Sequence, residues 1–449
     1  MVRVRERAIP GNDICVSRMQ VAKARRDNMI SEEDEDGEPL SPMARVFQSP
    51  GNDCCILTMI GCKTKINADI IQHALKLNVS KHPRFSSRLS DDGACWIKTQ
   101  VNVENHVVEP DIDPGEIGDN GEGYVEDYVS RLTMLPLDKS RPLWDMHILN
   151  VKTLDAEAVC VIRSHHSLGD GTSLMSLLVA CTQNTSHRDT IPTIPVLKRT
   201  VHKDIDVPWF LRLVLLISSS VRLICNTLVD LLLLLASALF LKDTKTPLKG
   251  DVGVENNQKM FCHRIVSLDD IKLIKKVMNM VCYVLDMMAK DSKCRWGNYF
   301  SSIALPISIG LETDPLLYLS KAQSAMDRKK HSLQAALAYS MTEYIFNIFG
   351  TKVGAIFPER IVSNTTTLIS NMIGPEEEIS FLGHPIAYIA PSVYGHAHAL
   401  TIHFLSYAEK MVISLGVDPT VIPNPHKLCD EMEDSLQAMK ATISERGLL

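Results

Sequence analysis

Seven consecutive residues carry the sharpest chemical signal in the sequence: His165-His166-Ser167-Leu168-Gly169-Asp170-Gly171. An imidazole with an ordinary pKa of about 6.5 can take up and return a proton at neutral pH, which suits general base chemistry. Two adjacent histidines followed after three residues by Asp-Gly arise by chance in a chain of this length on the order of once in a thousand sequences. The plainer alternative is a satisfied pair of core histidines at a turn. A second group, His396, His398 and His403, nearly alternates along adjoining strand-like segments. No carboxylate or cysteine stands beside these three at ligand spacing, so they read as packing or surface residues and no metal site is expected.

The elements around the heptapeptide set its position. Residues 142–151, PLWDMHILNV, alternate in polarity, and EAVCVIRS, residues 157–164, is β-branched and largely apolar, so two neighbouring strands are expected. The second runs directly into the motif. After it, TSLMSLLVACTQN repeats Leu174, Leu177, Leu178 and Cys181 at helical spacing behind a Thr172/Ser173 cap. The histidines therefore belong on a strand-to-helix turn, where a side chain can face a crevice.

Upstream, a strand-like stretch from Cys55 to Cys62 precedes a helix whose cap is Asn67 and whose apolar stripe is Ile70, Ile71, Ala74, Leu75 and Leu77. The acidic, glycine-rich residues 113–124 read as an exposed loop without the pattern of a phosphate cradle. Downstream, KMFCHRIVSLDDIKLIKKVMN opens a second strand-helix unit capped around Ser267, and a helical run follows over 317–339. ALTIHFLSY and MVISLGV form a hairpin, and a last helix spans about His426 to Ile443. The chain thus divides into a charged, disordered tail at 1–37, a first α/β domain at 38–200, an apolar segment and linker at 201–258, and a second α/β domain at 259–449.

Residues 209–241 are the most apolar part of the chain, interrupted by Arg212, Arg222 and Asp230. In the window 223–241, nine Leu with Ile224, Val229 and Phe240 favour bilayer insertion by roughly 6 kcal/mol, against about 3 for Asp230 and more for Asn226. A single span, an interfacial hairpin or helix pair, and a buried pair between domains all stay open on those magnitudes; membrane contact is favoured.

Composition removes other classes. Of the 449 residues, 47 are Lys or Arg and 53 are Asp or Glu, a net charge of -6 that gives no basic footprint for nucleic acid. Hydrophobic residues at 45% and charged residues at 22% speak against wholesale disorder and against a polytopic membrane bundle. The 12 cysteines show no zinc spacing and read as reduced thiols. The first thirty residues lack an apolar core of signal-peptide length, so a cytosolic face is expected.

HHSLGDG resembles the HHxxxDG motif of the CoA-dependent acyltransferases, and the match is closer to one branch, the plant wax ester synthase/diacylglycerol acyltransferase family. EPLSPMARVF, GCKTKIN, KHPRFSS, LPLDKSRPLW, HHSLGDGTSLMSLL, DPLLYLSKAQSAMDRKKHSLQA, SNMIGP and LTIHFLSY carry it, in order, from residue 38 to 440. The resemblance implies an α/β fold of two chloramphenicol-acetyltransferase-like mixed-sheet domains with a tunnel between them. It implies His166 as the general base, supported by His165, Asp170 and Gly171, with Asp170 fixing the turn through a salt bridge to an arginine and Gly171 through a permissive backbone. Long-chain acyl-CoA is then a substrate and no cofactor is needed; the acceptor is a fatty alcohol or diacylglycerol, and the partner is a membrane surface or a single span.

An alcohol near pKa 16 is not ionised outright by imidazole, so the base takes the proton as the oxygen attacks the thioester. The oxyanion that follows wants a donor, for which Asn298 in WGNYF and Ser370-Asn371 in SNMIGP are the candidates, with turn or strand capping as their alternative role. Pro142-Leu143-Trp144 matches the family's PLW element, as an acyl-channel wall or a buried strand start. One departure stands out. Only Val281-Cys282-Tyr283-Val284 lie where relatives carry some tens of residues, so a shortened second domain is expected. The rivals to the enzyme reading are a soluble BAHD-like transferase of polar metabolites and a catalytically impaired, membrane-associated lipid-binding protein. The expected location is the endoplasmic reticulum membrane with a cytosolic active site, the plasma membrane being the alternative.

Overall fold

The computed structural model of the chain describes residues 37–49, 51–118, 121–185, 208–277, 296–301, 303–306, 310 and 312–448. The expected tail at 1–37, all but Gly37, and the shortened segment at 281–284 lie outside these residues. Among the described residues, fourteen strands run in chain order as β1 (Glu38–Pro39), β2 (Cys55–Cys62), β3 (Ser87–Leu89), β4 (Cys95–Lys98), β5 (Val107–Val108), β6 (Trp144–Leu149), β7 (Ala158–His165), β8 (Thr182–Asn184), β9 (Met260–Ser267), β10 (Leu368–Ile373), β11 (Ile379–Phe381), β12 (His384–Tyr394), β13 (Leu400–Tyr407) and β14 (Lys410–Val417). The α-helices are α1 (Pro42–Val46), α2 (Ala68–Asn78), α3 (Glu122–Leu132), α4 (Gly171–Ala180), α5 (Trp209–Leu239), α6 (Leu268–Val277), α7 (Pro315–Lys330), α8 (Gln334–Asn364) and α9 (Pro425–Glu445).

The strands form three sheets ordered β5-β6-β7-β2-β12-β11-β8, β10-β13-β14-β9 and β1-β4-β3. Two pairings, β5 with β6 and β10 with β13, are parallel and the rest antiparallel, so the sheets are mixed. β2 is apolar along nearly its whole length because it lies at the centre of the seven-stranded sheet, between β7 and β12. β11 and β12 come from the C-terminal half of the chain yet complete the sheet of the N-terminal half, a crossing that local periodicity does not announce. The two larger sheets share a core in which Ile60, Ile389, Leu405 and Tyr407 are essentially inaccessible, each contributing about 1.5–3 kcal/mol by burial.

Local expectations hold where the signals are short-range. Asn67 caps α2, accepting from the amides of Asp69 and Ile70; its stripe is narrower than expected, since Ile71 is buried but Ile70 and Leu77 face outward. β6 and β7 pair as foreseen, and β13 and β14 close a hairpin on Ala408 and Glu409. The helical run over 317–339 divides at His331, and α8 is kinked at Gly350 (φ 77°).

The apolar stretch is one continuous helix, α5, which overturns both pair readings. Most of it is exposed: Trp209 at 77%, Leu216 at 63% and Leu232 at 65%. One side packs on α7 and α8, and Thr227, Asp230, Leu234 and Ala238 are its buried residues. Asp230, fully buried, pairs with Lys329 Nζ at 2.8 Å and with Arg328 at 3.4 Å. Asn226 donates to the carbonyls of Arg328 and His331, and Thr227 Oγ1 accepts from the amide of Leu333.

Candidate active site

The end of β7 delivers His165 and His166 to a single 3-10 turn, after which α4 begins at Gly171. Consecutive residues on a strand face opposite ways, and the two rings have different surroundings. His165 is 2% exposed. Its Nδ1 lies 3.2 Å from the amide of Ser167 and 3.1 Å from the Gln48 side-chain amide, and its Nε2 lies 2.9 Å from Asp53 Oδ1. Nδ1 therefore accepts and Nε2 donates, fixing the tautomer. The bond from His165 also holds the Asp53 carboxyl below the usual carboxylate range.

His166 takes the opposite tautomer. Asn298 donates through Nδ2 to the His166 carbonyl at 3.0 Å, so its Oδ1 is the atom turned to His166 Nδ1, at 3.1 Å. An amide oxygen only accepts, so Nδ1 carries the proton and Nε2 keeps its lone pair. The ring is half-buried, stacked on Phe47 at a centroid distance of 4.1 Å and tilted against Phe300 at 5.5 Å. Burial pushes its pKa down to about 4, so the neutral, proton-accepting form persists throughout the physiological range.

The supporting residues differ from expectation in three ways. Asp170 makes no salt bridge to an arginine among the described residues. It is the N-cap of α4 in place of Thr172/Ser173: Oδ1 accepts from the amide of Ser173 at 2.8 Å and Oδ2 from the amide of Tyr299 at 3.0 Å. The nearby arginine, Arg163, instead grips Asp145 in a buried pair, with Nε at 2.9 Å from Oδ1. Gly171 has no left-handed φ; a Cβ there would stand 2.8 Å from the sulfur of Met372, so its role is close approach. Asn298, offered as an oxyanion donor, spends its amide on His166, and is a tautomer lock in this geometry.

The segment containing Asn298 is laced to the turn. Trp296 Nε1 donates to the Leu168 carbonyl at 2.7 Å, the Asp170 amide donates to the Gly297 carbonyl at 3.0 Å, and the Ser173 hydroxyl donates to that same carbonyl at 3.1 Å. Of the other candidates, Ser370 is half-buried on the side of β10 that also carries Met372, whereas Asn371 is exposed on the opposite side. Pro142, Leu143 and Trp144 are buried in the core. Leu143 accepts the His165 amide, and Trp144 donates from its indole to the Phe85 carbonyl and stacks on His106. Their burial fits a strand start in the core. His396, His398 and His403 are all buried, and among the described residues no group of His, Cys, Asp or Glu is placed to hold a metal ion. The nine cysteines among those residues are free thiols.

Gln48, Asp53, Phe47 and Phe300 are functional neighbours that sequence reasoning missed. Phe47 and Phe300 had a signal, as the last residues of EPLSPMARVF and WGNYF.

Comparison with known proteins places this geometry. Residues 72–280 match the wax ester synthase/diacylglycerol acyltransferase catalytic domain, and residues 296–440 match the WS/DGAT C-terminal domain. Wax ester synthase/diacylglycerol acyltransferase 7 from Arabidopsis thaliana is 55% identical, with 92% of this chain and 99% of that protein covered; number 8 from the same plant is 52% identical, covering 92% and 98%. The first alignment spans 474 positions while taking in 92% of a 449-residue chain, so about sixty of its positions have no residue here. Among solved structures, the wax ester synthase/diacylglycerol acyltransferase from Marinobacter aquaeolei VT8 is similar with a TM-score of 0.56 at 16% identity, covering 91% of this chain and 100% of that one. The first condensation domain of the CDA synthetase follows at 0.54 and 14%, over 90% and 95%. These likenesses bear out the mixed α/β fold of the CoA-dependent acyltransferases. The plant proteins, similar over nearly their whole length, establish that the chain belongs to the wax ester synthase/diacylglycerol acyltransferase family.

Proposed function

We propose that the chain moves a long-chain acyl group from acyl-CoA to the hydroxyl of a fatty alcohol or of diacylglycerol, with His166 as the general base. The observation that carries the role of His166 is the tautomer: Asn298 engages Nδ1–H and leaves Nε2 free to accept. Nε2 takes the hydroxyl proton as the oxygen attacks the thioester carbonyl. The tetrahedral intermediate then collapses, the carbon–sulfur bond breaks, and the imidazolium returns the proton to the departing CoA thiolate. Ester and CoA thiol are formed with no net proton gained or lost and no acyl-enzyme. About sixty alignment positions are missing, yet the turn, the base and its lock are all present. His166→Ala, expressed in cells deficient in neutral lipid, is expected to lose ester product while the protein accumulates normally; an undiminished yield removes His166 as the base.

The exposed side of α5 supports a membrane-facing position, with the endoplasmic reticulum surface as the site and the catalytic turn on the cytosolic side. The clamp from Asp230 to Lys329 and Arg328 favours an interfacial helix over a span, because threading the bilayer would break a buried ion pair. Alkaline carbonate is therefore expected to strip the protein from microsomes; retention in the pellet would point to a span.

A further inference from the structure

Three strands of the smaller sheet bring polar side chains into one register row. Ser370 of β10 stands opposite His403 of β13, and His403 stands opposite Ser414 of β14. The row lies on the face turned to the larger sheet: Leu405 and Tyr407, two and four residues beyond His403, share a core with Ile60, Ile389 and Leu168, whereas Ile402 and Phe404 pack toward α9. The next row on this face is apolar, with Met372, Leu405 and Val412. Met372 abuts Gly171, so the polar row begins beside the catalytic turn.

His403 is 5% exposed and Ser414 fully buried, and among the described residues neither His403 Nδ1 nor Ser414 Oγ has a hydrogen-bond partner. Burial first, and His166 second, lower the His403 pKa to about 4, which keeps the ring neutral and able both to donate and to accept. Polar atoms left unpaired in a protein interior are costly, and persist where a ligand supplies the missing partner. A single oxyanion uses one or two donors. A row stepping about 4.8 Å per strand away from the base exceeds that need and suits an acceptor with oxygens beyond the attacking hydroxyl. We infer that Ser370, His403 and Ser414 form a subsite for the ester oxygens of a partial glyceride, so that this chain selects diacylglycerol over a plain fatty alcohol. This rests on the acyl-transfer reading above.

The test uses the purified full chain in detergent micelles with radiolabelled palmitoyl-CoA, measuring kcat/KM for dioleoylglycerol and for hexadecanol. His403→Leu and Ser414→Ala are each expected to lower the ratio of the two constants, about tenfold for the former, because a site built for an oxygen rejects poorly once its partner is gone. His403→Gln, which keeps hydrogen-bonding atoms, is expected to hold the ratio near wild type. An unchanged ratio in both His403→Leu and Ser414→Ala overturns the subsite, whether the rates fall together or stay level. On the His166→Ala background, equilibrium retention of radiolabelled dioleoylglycerol against hexadecanol reads the subsite without turnover. A preference there that His403→Leu abolishes supports it, even if His166→Ala unexpectedly retains both products and so overturns the base.

Discussion

The tautomer lock makes the sharpest demand on experiment, through Asn298. Its side chain makes two hydrogen bonds to one residue, one to the His166 carbonyl and one to Nδ1. Truncation to alanine removes both and leaves a half-buried imidazole free to turn or to carry its proton on Nε2, where it cannot act as base. A buried hydrogen bond is worth about 1 kcal/mol, and a stranded partner about 1–3. Asn298→Ala should thus forfeit about 1.4–2.8 kcal/mol of transition-state stabilisation, or about 10- to 100-fold in kcat. Asn298→Asp is the sharper variant. It keeps an acceptor for Nδ1–H but sets a negative charge beside the ring, which favours imidazolium and raises the His166 pKa from about 4. On the role proposed for His166 the neutral ring does the work, so wild-type kcat/KM should be level from pH 8 down to about pH 5. In Asn298→Asp the acid limb should move upward, so that the rate at pH 5.5 falls relative to that at pH 8. The assay is transfer from radiolabelled palmitoyl-CoA in mixed micelles across that range. A kcat for Asn298→Ala within twofold of wild type, together with a level profile for Asn298→Asp, would refute the lock.

Two further substitutions probe the frame around the turn. Asp170→Ala should lower stability by about 2 kcal/mol, losing the α4 cap and the bond to the Tyr299 amide, while Asp170→Asn, itself a good cap, should lose far less; thermal melts that rank the two equally would restore a salt-bridge role. Asp145→Ala leaves Arg163 buried and unpaired at a cost of about 3–5 kcal/mol, whereas Asp145→Leu combined with Arg163→Met should cost less than the single change. Burial pushes the Asp145 carboxyl up, but the nearby His147 ring and the hydrogen bonds from Arg163 outweigh it and hold it below the usual range. Its contribution is therefore complete above about pH 4 and fades as the pH drops below that, so urea melts of wild type and Asp145→Ala should converge on acidification.

What the sequence disclosed follows the range of the interaction concerned. β2, β6, β7 and the β13–β14 hairpin are written in period-2 patterns within a few residues of one another, as is the placement of the histidines on a strand-to-helix turn. The tautomers are not, because they are set by Gln48, Asp53 and Asn298, residues up to 132 positions away. The salt bridge that the resemblance implied for Asp170 is not made among the described residues: Arg163, on β7 upstream of it, pairs with its strand neighbour Asp145. Insertion energies left α5 undecided because Asn226 and Asp230 count there as penalties. In the fold they fall with Thr227 on one side of the helix and find partners between Arg328 and Leu333.

The double engagement of Asp170 ties assembly to competence. One carboxylate oxygen starts the helix behind the base, and the other seizes a backbone amide contributed by a stretch of chain well over a hundred residues later. A polypeptide that has completed only its first half therefore has Gln48 and Asp53 to hold His165, but lacks Asn298 to orient His166 and the Tyr299 amide to engage Asp170. On the role proposed for His166, the ring is poised only once that later stretch has docked, so the order of the chain sets when acyl transfer can begin.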